Sequence, residues 1–385
     1  MATTTLGIYL HIPFCRGKCP YCDFFSVTTA SPLFAAYPDL LLKQLERAVN
    51  DGWSGPVTSV YFGGGTPSLL QTDDVARLLS AFDKRFGLAD DVEITLEANP
   101  GTIDLAKLQG LHSAGVNRLS LGIQSLDDSS LHRLGRRHDR RANLSSVKAA
   151  RQAGFDNLSL DLMFALPGQT LPQLESELAG YLDLNVEHLS CYGLTAEPGT
   201  PFSQSVQAGE IKLPDDDFYA EAFLLIDQQL TTAGYQHYEI ANYGRPGRLC
   251  RHNQRYWKRA DCLGLGAGAH SFCSHGWGSR WAVASDLQGY ADDLKCGRPP
   301  SRCLETFDRL AALSETLYLG LRTAAGVAES ELRARFGASL HQAFPAADAR
   351  HAPWLRQRGD TWSMNVSGWL LYDRLIQEFL QADSG

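Results

Sequence analysis

Three cysteines crowd one short loop near the start of the chain, in Cys15-Arg16-Gly17-Lys18-Cys19-Pro20-Tyr21-Cys22, a C-x3-C-x2-C spacing. Thiolates are soft metal ligands, and three on one loop can hold three irons of a [4Fe-4S] cubane. No fourth cysteine lies nearby. The remaining iron can then take the amino and carboxylate groups of a cofactor, and a reduced cluster bound this way can cleave S-adenosylmethionine to a 5′-deoxyadenosyl radical. A structural zinc site is the competing reading, but it wants four protein ligands, commonly as two C-x2-C pairs. The nearest extra ligand, His11, stands two residues before Pro13 and is expected to face its strand. Inert thiols are the third possibility.

Gly63-Gly64-Gly65-Thr66-Pro67 follows a strand-like run. Glycines let backbone approach a ligand without a Cβ in the way and permit unusual φ/ψ. The run is not a dinucleotide fingerprint, which needs G-x-G-x-x-G and a downstream acid. Glu97 ends the next strand-like run, in Leu96-Glu97-Ala98-Asn99-Pro100, where its carboxylate could accept from ribose hydroxyls or simply face solvent. Gln124 and Asp161 fall at or just after the ends of two further strands, and Arg136 lies on the connection between them. Each of these also reads as an ordinary loop hydrogen-bonder or ion-pair partner. Far downstream, His252-Asn253-Gln254-Arg255-Tyr256-Trp257 sets an imidazole beside two aromatic rings.

These residues need a frame that brings them together. Candidate strands are Gly7–His11, Ser59–Phe62, Glu93–Glu97, Arg118–Gly122, Asn157–Asp161 and His188–Tyr192. Amphipathic stretches lie between them: Thr72 is expected to cap one, Thr102 to open another, and Gly115 and Gly154 to close two. Such β-α alternation predicts an α/β fold with a parallel sheet, as a full or partial barrel. Residues at the carboxyl ends of barrel strands converge on one mouth, and Cys15, Gly65, Glu97, Gln124 and Asp161 all hold such positions. After about Leu213 the rhythm changes: a helix over Asp215–Thr232 leads to Tyr235–Ile240 and then to a Gly/Arg/aromatic-rich stretch ending near Trp281. From Phe307 the text is mostly helical, with a strand at Thr361–Val366 before a closing helix at Trp369–Leu380. The expected units are a barrel over 1–235, a connecting region over 236–300 and a small, separate C-terminal helical domain of winged-helix type over 301–385.

A net charge of -8 over 385 residues argues against a nucleic-acid-binding surface, and the run Arg136–Arg141 reads as a solvated face. The start of the chain has no basic region followed by an apolar one, and no stretch approaches ~18 consecutive apolar residues. The expectation is a cytoplasmic protein, with peripheral membrane contact left open. Nine cysteines, an odd number, favour metal binding over disulfides. Cys191, Cys250, Cys262, Cys273, Cys296 and Cys303 read as reduced thiols.

Tyr9-Leu10-His11-Ile12-Pro13-Phe14-Cys15, followed by the cysteine spacing, resembles the radical S-adenosylmethionine enzymes. More narrowly it resembles the branch holding oxygen-independent coproporphyrinogen III oxidase and the HemW haem chaperones, over nearly the whole chain. The resemblance implies a partial (β/α)6-type barrel with a small winged-helix-like C-terminal domain, and a [4Fe-4S] cluster on Cys15, Cys19 and Cys22. It assigns S-adenosylmethionine to Gly64, Gly65, Thr66, Glu97, Gln124, Arg136 and Asp161, with Tyr9 and Tyr21 beside the cluster. The decarboxylating oxidases carry a further cysteine two residues after the third; here Cys22-Asp23-Phe24 has phenylalanine, as in the chaperones. The H-N-x-x-Y-W motif marks the same branch. It implies His252 as haem ligand, since neutral imidazole is a natural axial ligand. Tyr256 and Trp257 would stack on the porphyrin and Arg248, Arg251 and Arg255 would pair with propionates, with Cys250 and His270 as rival ligands. The function implied is a haem chaperone serving haem proteins of the respiratory chain, without the oxidase activity. Oxidative decarboxylation of coproporphyrinogen III to protoporphyrinogen IX is the alternative, and radical chemistry on another tetrapyrrole or haem itself is a third. A homodimer is expected at the family level only.

Overall fold

A computed structural model describes residues 5–343 and 353–381; the first four residues, 344–352 and 382–385 lie outside them. All six strand-like runs form strands: β1 (Leu6–Ile12), β2 (Val57–Gly64), β3 (Leu88–Ala98), β4 (Arg118–Gln124), β5 (Leu158–Phe164) and β6 (His188–Gly193). They pair in parallel and in chain order. Period-two alternation divides the sheet into two faces. One face carries the row Leu10–Phe62–Leu96–Leu119–Leu158, in register across five strands and fully buried. It belongs to the same core as Leu41 and Leu45 of α1 (Tyr37–Asn50), Leu78 and Phe82 of α2 (Thr72–Phe86), and Leu108 of α3 (Leu105–Ser113). That core also takes in Val147 of α4 (Arg140–Gln152) and Leu174 of α5 (Leu171–Asp183). The other face is polar, with Tyr9, Tyr61, Thr95 and Arg118 in register. A parallel sheet covered on both sides by helices reads apolar throughout; a polar inner face marks a sheet curled around a site.

Two helix starts differ from expectation. α2 begins with Thr72 as its first residue, after Gln71, and has no side-chain cap. α3 is capped by Asp104, which accepts from the Lys107 N–H at 2.8 Å. Thr102 instead closes a tight turn and donates to the Asn99 carbonyl, because Ile103 is extended and the helix cannot begin before Asp104. Gly115 and Gly154 follow the last residues of α3 and α4 at positive φ, as expected.

Residues 236–306 are no mere connection. After α6 (Asp216–Thr232), β7 (Gln236–Glu239) and β8 (Asn242–Gly244) add antiparallel strands beyond β6. The chain then crosses to the far edge through α7 (Arg251–Trp257). There β9 (Cys262–Leu265) pairs in parallel with β1 and is followed by β10 (His270–Cys273), β11 (Ser279–Val283) and β12 (Ser301–Thr306). The sheet is open and 12-stranded, in the order β12-β11-β10-β9-β1-β2-β3-β4-β5-β6-β8-β7.

The C-terminal part holds α8 (Arg309–Gly320), α9 (Glu329–Phe336) and a three-stranded sheet of β13 (Val327–Ala328), β15 (Thr361–Met364) and β14 (Leu355–Arg358). The expected closing helix is broken at Leu371 into α10 (Val366–Leu370) and α11 (Tyr372–Gln381). Nor does this part stand apart: Leu317, Leu332, Trp362 and Trp369 join the same hydrophobic core as the barrel. Among the described residues no helix is long and apolar enough to cross a membrane.

Candidate functional site

The carboxyl ends of β2 to β5 and the cysteine loop enclose a cleft of about 340 Å³. Cys15, Cys19, Cys22, Tyr21, Gly64, Gly65, Thr66, Glu97, Gln124, Arg136 and Asp161 all line it. Arg136 is its hub. Its Nη1 donates to Cys19 Sγ at 3.5 Å and to the Tyr21 hydroxyl at 3.4 Å, while Nη2 donates to the Gly122 carbonyl at 2.7 Å and to Asn99 Oδ1. Asn99 in turn donates to Thr66 Oγ1 at 3.0 Å, and Thr66 donates to Cys15 Sγ at 3.5 Å. Two of the three sulfurs thus accept hydrogen bonds, one of them from a cation. Burial pushes the Cys22 thiol up, a handicap removed when a metal takes the proton's place. Among the described residues no three His, Cys, Asp or Glu side chains are grouped as the ligands of a single ion. A cubane asks for something else: three thiolates, each on its own iron.

The glycine turn is shaped from below. Gly64 sits at φ +109°, and a Cβ there would lie 2.7 Å from the His11 ring. A Cβ on Gly65 would lie 2.8 Å from the Phe14 carbonyl oxygen. The turn therefore presses onto β1 and leaves its upper surface to the cleft. Gln124, at the end of β4, has φ +63° beside a register shift that begins after Leu121. Such a bulge re-aims a side chain, and this one turns Gln124 to the cleft.

Two carboxylates form the floor. Glu97 accepts from the Tyr61 hydroxyl at 2.8 Å and the Gly64 N–H at 3.2 Å, and burial pushes its pKa up to about 7. Asp161 is pushed up to about 6 by burial, which Arg136 and Arg118 oppose. Tyr9 does not line the cleft. It lies beneath it, its ring stacked on Tyr61 at 6.2 Å and its hydroxyl 3.1 Å from His11 Nδ1. The other His11 nitrogen is 2.9 Å from the Phe25 carbonyl oxygen, so both are engaged. Asn99 and Tyr61 were not singled out in the sequence. Asn99 stands two residues after Glu97, the strand spacing that returns a side chain to the same face.

The H-N-x-x-Y-W segment is elsewhere, at the amino ends of the strands. It forms α7, whose first two N–H groups, on Arg251 and His252, donate to the Glu93 carboxylate at 3.0 Å each. His252 is fully buried. Its Nδ1 is 2.9 Å from Ser59 Oγ, its Nε2 is 2.8 Å from the Tyr256 hydroxyl, and its ring lies 5.2 Å from that of Tyr61. Burial first, then Arg255 and Arg118, lowers its pKa to about 3, so the ring is neutral. The three arginines are engaged as well. Arg255 donates to the Thr5 and Asp261 carbonyls, Arg251 pairs with Asp91, and Arg248 with Asp156. Cys250 is buried against Glu93, and His270 borders a separate small cavity with Tyr256.

Residues 9–178 match the family model of the Radical SAM superfamily, and residues 307–371 that of the HemN C-terminal domain. Heme chaperone HemW of Synechocystis sp. is 39% identical over 336 residues, covering 84% of this chain and 79% of that protein. Heme chaperone HemW of Escherichia coli is 34% identical over 384 residues, covering 97% and 98%. The solved structure of coproporphyrinogen III oxidase (HemN) from Escherichia coli, a radical SAM enzyme, superposes with a TM-score of 0.81 at 23% identity. That match covers 98% of this chain and 90% of that one, and at this identity it is a likeness of fold.

Proposed function

The chain belongs to the HemW family of the radical SAM superfamily, and on that premise we propose that it is a haem chaperone whose cleft carries a [4Fe-4S] cluster and S-adenosylmethionine. The observation that carries the cofactor reading is convergence: three cysteines, the glycine turn, two carboxylates and Arg136 share one cleft, though they are scattered over 147 residues, Cys15 to Asp161. The donor set fits the group. Cys15, Cys19 and Cys22 would hold three irons, Gly64, Gly65 and Thr66 the amino group, and Glu97 the ribose hydroxyls. Gln124, Arg136 and Asp161 would line the rest of the cofactor, with Tyr21 closing the cluster's side. When bound, such a cluster supplies the electron that cleaves S-adenosylmethionine to its radical. Arg136 donates to Cys19 Sγ and to the Tyr21 hydroxyl and so holds one side of the cysteine loop in place, and the glycine backbone leaves room for the ligand.

Delivery of haem to respiratory-chain proteins is the role that this reading assigns; the names of the relatives support the haem chaperone part of it. Phe24 supports it over the oxidase, because it stands 60% exposed on the cleft wall where the decarboxylating branch carries a cysteine. The test is anaerobic incubation of cluster-reconstituted protein with coproporphyrinogen III, S-adenosylmethionine and a reductant. No protoporphyrinogen is expected, and its formation would overturn the chaperone reading in favour of the oxidase. An axial role for His252 is a further part of the proposal, and it requires Tyr256 to leave Nε2.

The pKa of Glu97 sets a pH dependence. Ribose hydroxyls donate best to an ionised carboxylate, so the proton on Glu97 must leave before the cofactor binds well. Affinity for S-adenosylmethionine is therefore expected to rise with pH up to about 7 and then level off. Below that the loss approaches about tenfold per pH unit. Equilibrium dialysis measures this directly, and Glu97→Gln should flatten the curve. An equally steep curve in the variant would rule out Glu97 as the titrating group.

A further inference from the structure

Two rows of inward side chains run from α7 up to the glycine turn. Alternate residues of a strand share a face. Gly7, Tyr9 and His11 of β1 form one row, and Ser59, Tyr61 and Gly63 of β2 form the next, in register pair by pair. At the lower end, a Cβ on Gly7 would lie 2.7 Å from the Arg255 side chain, and Ser59 Oγ is 2.9 Å from His252 Nδ1. At the upper end, a Cβ on Gly63 would lie 2.9 Å from the Tyr9 ring and 3.0 Å from the Tyr61 ring. The rows thus join the H-N-x-x-Y-W helix to the floor of the cysteine cleft.

Tyr61 stands at the centre of this arrangement. Its ring lies 5.2 Å from that of His252 and 6.2 Å from that of Tyr9. Its hydroxyl donates to Glu97 Oε1 at 2.8 Å, while Glu97 Oε2 accepts from the Gly64 N–H at 3.2 Å. Both donors that fix the carboxylate therefore belong to β2, and one of them rests against His252. The charged groups that face Glu97 from other strands are Asp161 on β5, which raises its pKa, and Arg118 on β4, which lowers it. Among the groups that oppose the effect of burial, the Tyr61 hydroxyl is the strongest.

Resting on the cofactor reading above, we propose that Tyr61 is a positioning residue for the ribose-binding carboxylate of Glu97, and that His252 acts on the cofactor cleft through it. A hydrogen bond weakens steeply as its angle closes, so a Tyr61 ring that loses its support from His252 turns its hydroxyl off Oε1. The motif then has a task that asks nothing of iron. From the amino ends of the strands it buttresses the seat of S-adenosylmethionine at their carboxyl ends.

The test measures S-adenosylmethionine binding to full-length, cluster-reconstituted protein over a pH series. Tyr61→Phe keeps the ring and removes the hydroxyl. Its affinity is expected to fall about tenfold at neutral pH, as loss of a hydrogen bond to a charged group does, and to level off at a higher pH than in wild type. The direction follows because the lost donor favoured the ionised carboxylate. A merely structural role would lower affinity without moving the curve, so a Tyr61→Phe curve in the wild-type position overturns the proposal. His252→Ala is expected to weaken binding about threefold on its own and to add nothing beside Tyr61→Phe, because residues in one contact network are not additive. If the two losses multiply, His252 does not act through Tyr61 and that link falls. If wild type binds no S-adenosylmethionine, or Glu97→Gln binds it as well as wild type does, the cofactor reading itself falls. If Glu97→Gln weakens binding and Tyr61→Phe matches wild type, only the role of Tyr61 is lost.

Discussion

Cys19→Ala is expected to abolish the iron–sulfur cluster. Two thiolates cannot hold what three hold, and Cys19 is also the sulfur that accepts from Arg136. Losing an outer-sphere partner of a metal site typically costs about 10–100-fold in affinity, which is the effect expected of Arg136→Ala. Losing the ligand itself should exceed that, leaving no measurable iron or acid-labile sulfide after reconstitution. Cys296→Ala is the control, since Cys296 is exposed and does not border the cleft. Iron and sulfide at wild-type levels in the Cys19 variant would sink the assignment of this loop.

His252→Ala is expected to destabilise the fold by about 3–5 kcal/mol, from a cavity in the interior plus two stranded partners, Ser59 and Tyr256. That is a large share of the ~5–15 kcal/mol that holds a typical domain together. Urea denaturation should show a lowered midpoint, and an unchanged midpoint would mean that the ring holds nothing in place. A haem titration on this variant alone therefore cannot separate a ligand from a pin. Tyr256→Phe can, because it removes only the hydroxyl that occupies Nε2. If His252 binds iron, freeing that nitrogen raises haem affinity; if it pins α7 to the barrel, haem affinity stays as in wild type while the midpoint falls slightly.

The half-barrel was legible because β-α alternation is a local signal, strong in short β-rich runs separated by capped helices. The strands over 236–306 were not, since β7 to β12 are short and lack that alternation with helices. Two of them, β7 and β8, join one edge of the sheet and the rest join the other. The C-terminal part was expected to stand apart because its helical text looks different. Nothing local announces that Trp369 reaches the core of the barrel, where its indole donates to the Leu321 carbonyl. Asn99 went unread for a related reason: its importance comes from Thr66 and Arg136, each more than 30 residues away.

The three cysteines, the glycine turn, Glu97, Gln124 and Asp161 were determined by sequence alone as one site. Successive parallel strands all deliver their carboxyl ends to the same mouth, so order along the chain translates directly into place. The direction in which the H-N-x-x-Y-W motif faces was decided only by tertiary structure. A 3.6-residue period shows that His252 and Tyr256 share a face, but not whether that face meets solvent, a ligand or the interior. Ser59, Glu93 and Tyr61, brought from strands about 160 to 190 residues away, turn it inward.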